Sequence, residues 1–224
     1  METKIKICGL SRPQDVEYAN LVQPDYVGFV FAGSRRRVDG EQAAKLRARL
    51  APGILAVGVF ADADRQEILR CQERAGLDLI QLHGAETREE IRFLQEATGK
   101  PLIKAFQVAS RQEVRLCLSS PADYLLFDSG QGSGKTFDWS FLEGIEDAQG
   151  FPESRRKRFF LAGGLHAGNL AAAAGRVRPF AVDVSSGAET DGKKDLEKMK
   201  RLVEIVRGKK AESGCFPELG GRTL

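Results

Sequence analysis

The chain has 224 residues, of which 42% are hydrophobic and 29% are charged, and its formal net charge is +3. This length fits one large domain, because α/β barrels often exceed ~200 residues as a single unit. The mild positive charge suits an anionic substrate but gives no support for nucleic acid binding, which would need a clustered basic face. No apolar run approaches the ~20 residues required to cross a membrane.

The cysteines and histidines give no sign of a metal centre. Cys8, Cys71, Cys117 and Cys215 lack CxxC spacing, which argues against a zinc site and against a disulfide framework, and there are only two histidines. The opening Met-Glu-Thr-Lys runs directly into a strand-like segment and does not resemble a signal peptide. We therefore expect a cytoplasmic protein that works without metal or cofactor.

Short apolar runs alternate along the chain with segments of helical periodicity. Pairs of capping residues precede the helical segments, because the first side chain can accept from a free backbone N–H and the second can reach back. These pairs are Ser11 with Gln14, Asp39 with Gln42, Asp64 with Glu67, Thr87 with Glu90, and Ser110 with Glu113. The predicted strands are Ile5–Cys8, Tyr26–Phe31, Leu55–Phe60, Leu79–Leu82, Leu102–Phe106, Tyr124–Asp128, Phe159–Ala162 and Ala181–Val184.

Eight strands, each followed by a helix, predict the α/β class and a single-domain (β/α)8 TIM barrel over residues 1–207. A doubly wound open sheet is the alternative. It usually has fewer strands and a dinucleotide fingerprint after the first, where this chain reads Cys8-Gly9-Leu10. The last helix is predicted at Leu196–Arg207, and residues 208–224 lack periodicity and are predicted to form a flexible tail.

The stretch Tyr124–Trp139 combines a strand, an acid and a glycine-rich loop. The strand ends at Asp128, and three glycines follow at alternate positions from 130 to 134, where bare backbone N–H groups can surround an anion. This layout is typical of a phosphate-handling site. A glycine-rich hairpin loop is one alternative, and a nucleoside-triphosphate P-loop is another, although position 129 holds Ser where that motif needs Gly.

The active site of a TIM barrel lies where its strands end, so the residues there are the candidates. After strands seven and eight, Gly163-Gly164 and Ser185–Gly187 are small and rich in backbone donors, as a phosphate cradle requires. Cys8 ends strand one, and strand alternation puts Lys6 on the same face, where an ammonium would favour the thiolate. A free cysteine in a strand can also be a small core residue.

Several motifs, in order along nearly the whole of residues 4–207, resemble those of the phosphoribosylanthranilate isomerase family. They are Lys6-Ile7-Cys8-Gly9-Leu10, Val27-Gly28-Phe29-Val30-Phe31, Val57-Gly58-Val59-Phe60, Gln81-Leu82-His83-Gly84, Gly132-Ser133-Gly134 with Phe137-Asp138-Trp139, Leu161-Ala162-Gly163-Gly164-Leu165, and Val182-Asp183-Val184-Ser185-Ser186-Gly187.

The resemblance implies a reaction and a catalytic pair. The reaction is the Amadori rearrangement of N-(5-phosphoribosyl)anthranilate to 1-(o-carboxyphenylamino)-1-deoxyribulose 5-phosphate, a step of tryptophan biosynthesis that needs no metal or cofactor. Cys8 is implied as general base and Asp128 as general acid, which requires a carboxyl pKa above the free value of about 3.9. Asp183 is implied to lie beside this pair.

The resemblance also implies how the substrate is held. Arg36 would bind the anthranilate carboxylate as a planar fork. The loop before Ser34 is shorter than the family pattern, so Arg35 and Arg37 remain alternatives. The phosphate would be shared by Gly132, Ser133, Gly134, Gly163, Gly164, Ser185, Ser186 and Gly187.

Three other functions remain open at this point. One is a different phosphosugar barrel enzyme, such as an indole-glycerol-phosphate synthase or an epimerase, although the former should carry a catalytic lysine and glutamates at its strand ends. Another is a phosphate-binding barrel without catalysis, or a P-loop nucleotide protein. The third is a broadened specificity toward the related histidine-pathway aminoaldose. The expected partner is a small phosphosugar, with no nucleic acid and no membrane, and the chain is expected to be a monomer or a homodimer.

Overall fold

The computed structural model describes residues 2–128, 138–145 and 157–208. Eight parallel strands follow one another around a closed barrel, in which β8 pairs with β1. This confirms the predicted TIM barrel. The strands are β1 Lys4–Cys8, β2 Tyr26–Val30, β3 Leu55–Phe60, β4 Leu79–Leu82, β5 Leu102–Gln107, β6 Tyr124–Asp128, β7 Arg158–Leu161 and β8 Ala181–Val184.

Helices connect the strands over the outside of the barrel. The described part contains the helices α1 Pro13–Val22, α2 Gly40–Arg47, α3 Arg65–Ala75, α4 Arg88–Thr98, α5 Arg111–Cys117, α6 Leu170–Val177 and α7 Leu196–Val206. Short 3₁₀ helices occur at Trp139–Phe141, between β6 and β7, and at Ser186–Ala188, after β8.

The apolar core has two layers because side chains alternate across each strand. One layer packs between the strands and the helices and contains, for example, Ile5, Ile7 and Phe29. The other fills the inside of the barrel. Its members are Tyr26, Val57, Leu79, Ile103, Ala105, Leu126, Phe160, Ala162 and Ala181. Lys6 and Asp183 are buried in the same barrel, on the strands β1 and β8.

Four of the five capping pairs are confirmed. Asp39 accepts from the backbone N–H of Gln42, Asp64 from that of Glu67, Ser110 from that of Glu113, and Thr87 forms a reciprocal capping box with Glu90. The pair Ser11 with Gln14 is wrong. Helix α1 begins one residue later, at Pro13, and the carboxylate of Asp15 takes the backbone N–H groups of Ser11 and Arg12.

A two-stranded hairpin after β8 has no counterpart in the sequence prediction. Its strands are β9 Glu189–Thr190 and β10 Lys193–Lys194, paired so that Glu189 faces Lys194. The turn residues Asp191 and Gly192 both have positive φ, at 50° and 76°. This is the backbone of a tight two-residue hairpin, for which Asp-Gly is the preferred sequence.

Two predicted regions lie partly or wholly outside the described residues. They are the glycine loop, with Gly132, Ser133 and Gly134, and the tail at 208–224, of which only Gly208 is described. The predicted domain boundary at 207 therefore stays a prediction. In the described ranges, no helix has the length and apolar character needed to span a membrane.

Candidate active site

Cys8, Lys6 and Asp183 meet inside the barrel, at the carboxyl ends of β1 and β8. The strand register sets Lys6 beside Asp183, and the Nζ of Lys6 lies 2.8 Å from Oδ2 of Asp183. Lys6 is completely buried. Burial acts to lower the pKa of its ammonium, but Asp183 and Cys8 act in the opposite direction and the pKa is raised overall. Lys6 is therefore a fixed positive charge next to the thiol.

The thiol of Cys8 has a pKa above its ordinary value. Burial is the largest cause, and the charge of Asp183 adds to it. Lys6 lowers the pKa of Cys8, as predicted, but does not outweigh burial. Burial therefore favours the thiol form, and Lys6 is the cation in place to support the thiolate.

Two glycines leave room for these side chains. A Cβ at Gly28, which pairs with Cys8 across β1 and β2, would lie 2.7 Å from the Sγ of Cys8. A Cβ at Gly9, which has a φ of +84°, would lie 2.3 Å from Cδ of Arg36. Each distance is well inside van der Waals contact. The glycines thus let the arginine lie across the backbone next to Cys8.

Arg36 approaches the site from the loop after β2 and pairs with Glu189. Its Nε donates to Oε1 of Glu189 at 2.6 Å and its Nη2 donates to Oε2 at 2.8 Å. The neighbouring Arg35 also reaches Glu189, but its side chain is 60% exposed against 16% for Arg36. Arg37 instead donates from Nε to the carbonyl of Phe31. Of the three arginines, Arg36 is the one held beside Cys8.

Asp128 ends β6 on the other side of the barrel mouth, where it lies near His83 from the end of β4. The Nε2 of His83 is 3.5 Å from Oδ2 of Asp128, and its Nδ1 is 3.2 Å from Nε2 of Gln81. A cavity of about 410 Å³ opens next to this pair. It is lined by His83, Gly84, Ala85, Glu86, Lys104, Ala105, Phe106 and Gln107.

The loops after β7 and β8 contact each other closely. A Cβ at Gly187 would lie 2.0 Å from the carbonyl oxygen of Leu165, so only glycine fits there. Gly163 and Gly164 both have positive φ, which a side chain would oppose. The hydroxyl of Ser185 donates to the carbonyl of Cys8, which joins this loop to β1. These small residues line one edge of the barrel mouth.

The structure thus brings together Cys8, Asp183, Arg36 and the loop starting at Ser185, and it places Asp128 beside His83. Sequence reasoning missed Glu189 and Lys194, two buried charged residues that contact Arg36 or each other. The Asp191-Gly192 dipeptide was the available sign of their hairpin. Among the described residues, no group of three or more histidine, cysteine or acidic side chains could hold a metal ion.

A family model described as N-(5'-phosphoribosyl)anthranilate isomerase matches residues 5–205. The chain belongs to this isomerase family. The chain is 46% identical over 207 residues to the N-(5'-phosphoribosyl)anthranilate isomerase of Streptococcus gordonii, covering 92% of this chain and 98% of the relative. It is 44% identical over 206 residues to that of Streptococcus pneumoniae, with 92% and 96% covered.

Solved structures of isomerases in this family have the same fold. The Thermotoga maritima phosphoribosyl anthranilate isomerase is 35% identical and has a TM-score of 0.82, with 92% of this chain and 99% of that chain covered. An isomerase in complex with reduced 1-(o-carboxyphenylamino)-1-deoxyribulose 5-phosphate is 34% identical, has a TM-score of 0.80 and shows the same coverage.

Family membership sets aside the indole-glycerol-phosphate synthase, the epimerase and the non-catalytic barrel. The P-loop and hairpin-loop alternatives fall on residues 129–137, outside the described residues.

Proposed function

We propose that the chain isomerises N-(5'-phosphoribosyl)anthranilate to 1-(o-carboxyphenylamino)-1-deoxyribulose 5-phosphate in tryptophan biosynthesis, with Cys8 as general base and Asp128 as general acid. The observation that carries the assignment of residues is the mouth of the barrel. One strand ends in a thiol beside a buried ammonium, and another ends in a carboxyl group. Family membership supports the reaction.

Asp128 begins the reaction by giving its proton to the ring oxygen of the ribose. The C1–O bond breaks, and the lone pair of the anilino nitrogen forms a protonated Schiff base at C1. The step requires the carboxylic acid form of Asp128, and it leaves a carboxylate beside His83.

Cys8 takes the next proton. The thiol first loses its own proton to water. The positive Schiff base acidifies the C2–H bond, the thiolate removes this proton, and the bonding electrons form the C1=C2 bond of an enolamine as the C1=N electrons return to nitrogen. The thiol of Cys8 then returns a proton to C1, and the 2-hydroxyl becomes the ketone as its proton passes to the carboxylate of Asp128, so both groups regain their protonation states. Because the buried thiol starts with a raised pKa, the charges of Lys6 and of the substrate cation must together stabilise the thiolate.

Asp183 has one carboxylate oxygen available for a ligand. Its Oδ2 pairs with Lys6, whereas its Oδ1 is buried and has no hydrogen-bond partner among the described residues. A buried acceptor of this kind is costly unless a donor reaches it. We assign it to a hydroxyl group of the substrate, beside the thiol that takes the proton.

Arg36 binds the ring carboxylate in this proposal. It is the one of the three arginines that lies over Gly9 beside Cys8. Gly163, Gly164, Ser185, Ser186 and Gly187 bind the phosphate through backbone N–H groups. Gly132, Ser133 and Gly134 complete the phosphate site on the predicted loop. A cytoplasmic location and acceptance of the histidine-pathway aminoaldose both stay predictions.

The oligomeric state is open between a monomer and a homodimer. One structure with a TM-score of 0.79 is of monomers derived from the dimeric Thermotoga maritima enzyme, which is 33% identical. Both states are therefore compatible with this fold. The residues proposed above to bind the substrate all belong to a single chain.

The decisive experiment follows the loss of phosphoribosylanthranilate fluorescence with the parent, Cys8→Ser and Cys71→Ser. Serine has nearly the volume of cysteine but a hydroxyl too weak to act as base, so Cys8→Ser should lose ~10²–10⁴-fold in turnover. Cys71 lies on α3, away from the barrel mouth, so its serine variant should keep the parent's activity. An inactive parent would refute the reaction, and an active Cys8→Ser would refute the base.

A further inference from the structure

Glu189 is a buried carboxylate held by three cations. Its side chain is 4% exposed and accepts from Arg35, Arg36 and Lys194, at 2.6–2.8 Å. Lys194 is buried as well, and it also donates to the carbonyl of Ser185 at 3.1 Å. Burial acts to raise the pKa of Glu189, but the hydrogen bonds from Arg36 and Lys194 outweigh it and lower the pKa to about 2. Glu189 is therefore ionised throughout the neutral range.

The two contacts between Arg36 and Glu189 leave part of the guanidinium available. Nε and Nη2 form the side of the planar fork, and both oxygens of Glu189 lie on that side. The remaining donors, on Nη1 and the second N–H of Nη2, form the end of the fork. A second carboxylate can bind there in a bidentate geometry without displacing the first.

The charges around Glu189 favour a second carboxylate. Arg35, Arg36 and Lys194 carry three positive charges against the single negative charge of Glu189. Two positive charges therefore remain when the cluster is complete. An anionic ligand is attracted to a guanidinium whose orientation is already set, so little entropy is lost on binding.

The hairpin that carries this pair is itself firmly held. Glu189 and Lys194 are opposite each other on β9 and β10. The backbone N–H of Asp195 donates to the carbonyl of Ala188, and Nζ of Lys198 donates to the carbonyl of Glu189. Asp195 also caps α7, so the hairpin is continuous with a helix of the barrel. Rigid support of this kind fixes the direction of a binding group.

We propose that Glu189, supported by Lys194, is a positioning residue that orients Arg36 so that the end of its fork receives the ring carboxylate of the substrate. This inference rests on the proposed function, because it takes a carboxylated aromatic amine as the ligand of Arg36. Glu189 itself does not contact the substrate. Its effect should therefore be confined to ligands that carry the carboxylate.

The test measures calorimetric binding of two ligands to the parent and to Glu189→Gln. One ligand is the reduced product analogue, and the other is the same compound without the ring carboxylate. Loss of a charged hydrogen-bonded contact should weaken the first ligand by ~10-fold or more. The second should change by no more than about twofold. In an Arg36→Ala background, Glu189→Gln should add no more than about twofold for either ligand.

Glu189→Asp is the second variant, in case the loss of a buried charge impairs folding. It keeps the charge but is one methylene shorter, so it cannot hold both contacts with the Arg36 guanidinium. We again expect weaker binding of the carboxylated ligand and little change for the other ligand. Equal weakening of both ligands would overturn the proposal in favour of a structural role. Tighter binding of the carboxylated ligand would show that Glu189 competes with the substrate. Turnover by the parent tests the proposed function separately, so the two can fail independently.

Discussion

Cys8 is subject to two opposing effects. Burial raises the pKa of its thiol, whereas the ammonium of Lys6 lowers it. Burial is the larger effect on Cys8, because a charged thiolate loses its hydration inside the barrel. The sequence shows both residues on one face of a strand, but the sign of the net shift depends on how deeply the closed barrel buries them.

We predict that Cys8 titrates above the pKa of a free cysteine, about 8.5. The ultraviolet absorbance of the thiolate, measured against pH for the parent minus Cys8→Ser, reports this residue alone. Replacing Lys6 by Met removes the effect that lowers the pKa, so the titration should move to still higher pH. A parent value below 8.5, or no upward movement in Lys6→Met, would contradict the proposed electrostatics.

Asp128→Asn separates a catalytic acid from a binding residue. The amide keeps the shape but has no proton to give to the ring oxygen, so kcat should fall by ~10²-fold or more. Binding of the reduced product analogue should stay close to that of the parent, since ground-state contacts are retained. Calorimetry beside the turnover assay gives both numbers. A parallel fall in affinity and turnover would instead make Asp128 a binding or structural residue.

The hairpin β9–β10 is the element that supports Arg36 through Glu189 and Lys194. It is only two residues long on each side, so its shape depends on the turn. Gly192 has a φ of +76°, and an added Cβ there would lie 3.1 Å from Nη1 of Arg35. Because Arg35 is mostly exposed and can move, the backbone strain is the main cost of a side chain at this position.

Gly192→Ala should therefore lower the free energy of unfolding by about 1–2 kcal/mol, the cost of a left-handed alanine. The matched control is Gly53→Ala, which has a φ of +94°, no atom within 4 Å of its Cβ, and a place in the loop before β3. Both variants should lose similar stability in urea unfolding. Only Gly192→Ala should raise KM, by roughly 2–10-fold, since it moves the support of a binding group. An equal KM in both variants would contradict this role of the hairpin.

At the scale of the whole molecule, the barrel depends on side chains packed inside it. Leu126 on β6 is completely buried in the inner layer, whereas Leu21 on α1 is 70% exposed. Closure of β8 onto β1 encloses this layer, so a cavity inside cannot easily collapse.

Leu126→Ala should destabilise the fold by about 2–5 kcal/mol, as expected for a buried leucine that leaves a cavity. Leu21→Ala makes the same chemical change at the surface and should cost less than about 0.5 kcal/mol. Urea unfolding of the two variants and the parent measures both values. A similar small loss in each would mean that the inside of the barrel adjusts to the missing side chain.

The sequence alone determined the eight barrel strands and their order. The strands β3, β4, β6 and β8 begin and end where the apolar runs predict, because an apolar run bounded by turn residues is a local pattern. The caps at Asp39, Thr87 and Ser110 are equally local, since each joins residues three apart. The candidate thiol, Cys8, lies in the first family motif, and the candidate acid, Asp128, ends a predicted strand, so both were visible in the sequence.

Only the tertiary structure decided which groups meet and how they are charged. Arg36 and Glu189 are 153 residues apart in the chain, and no local pattern connects them. The side chain of Asp183 meets Lys6 because β8 closes the barrel against β1, and the raised pKa of Cys8 follows from the burial that this closure produces. Propensity and capping act over a few residues, whereas burial and charge act through space, so the electrostatics of the site depend on the completed barrel.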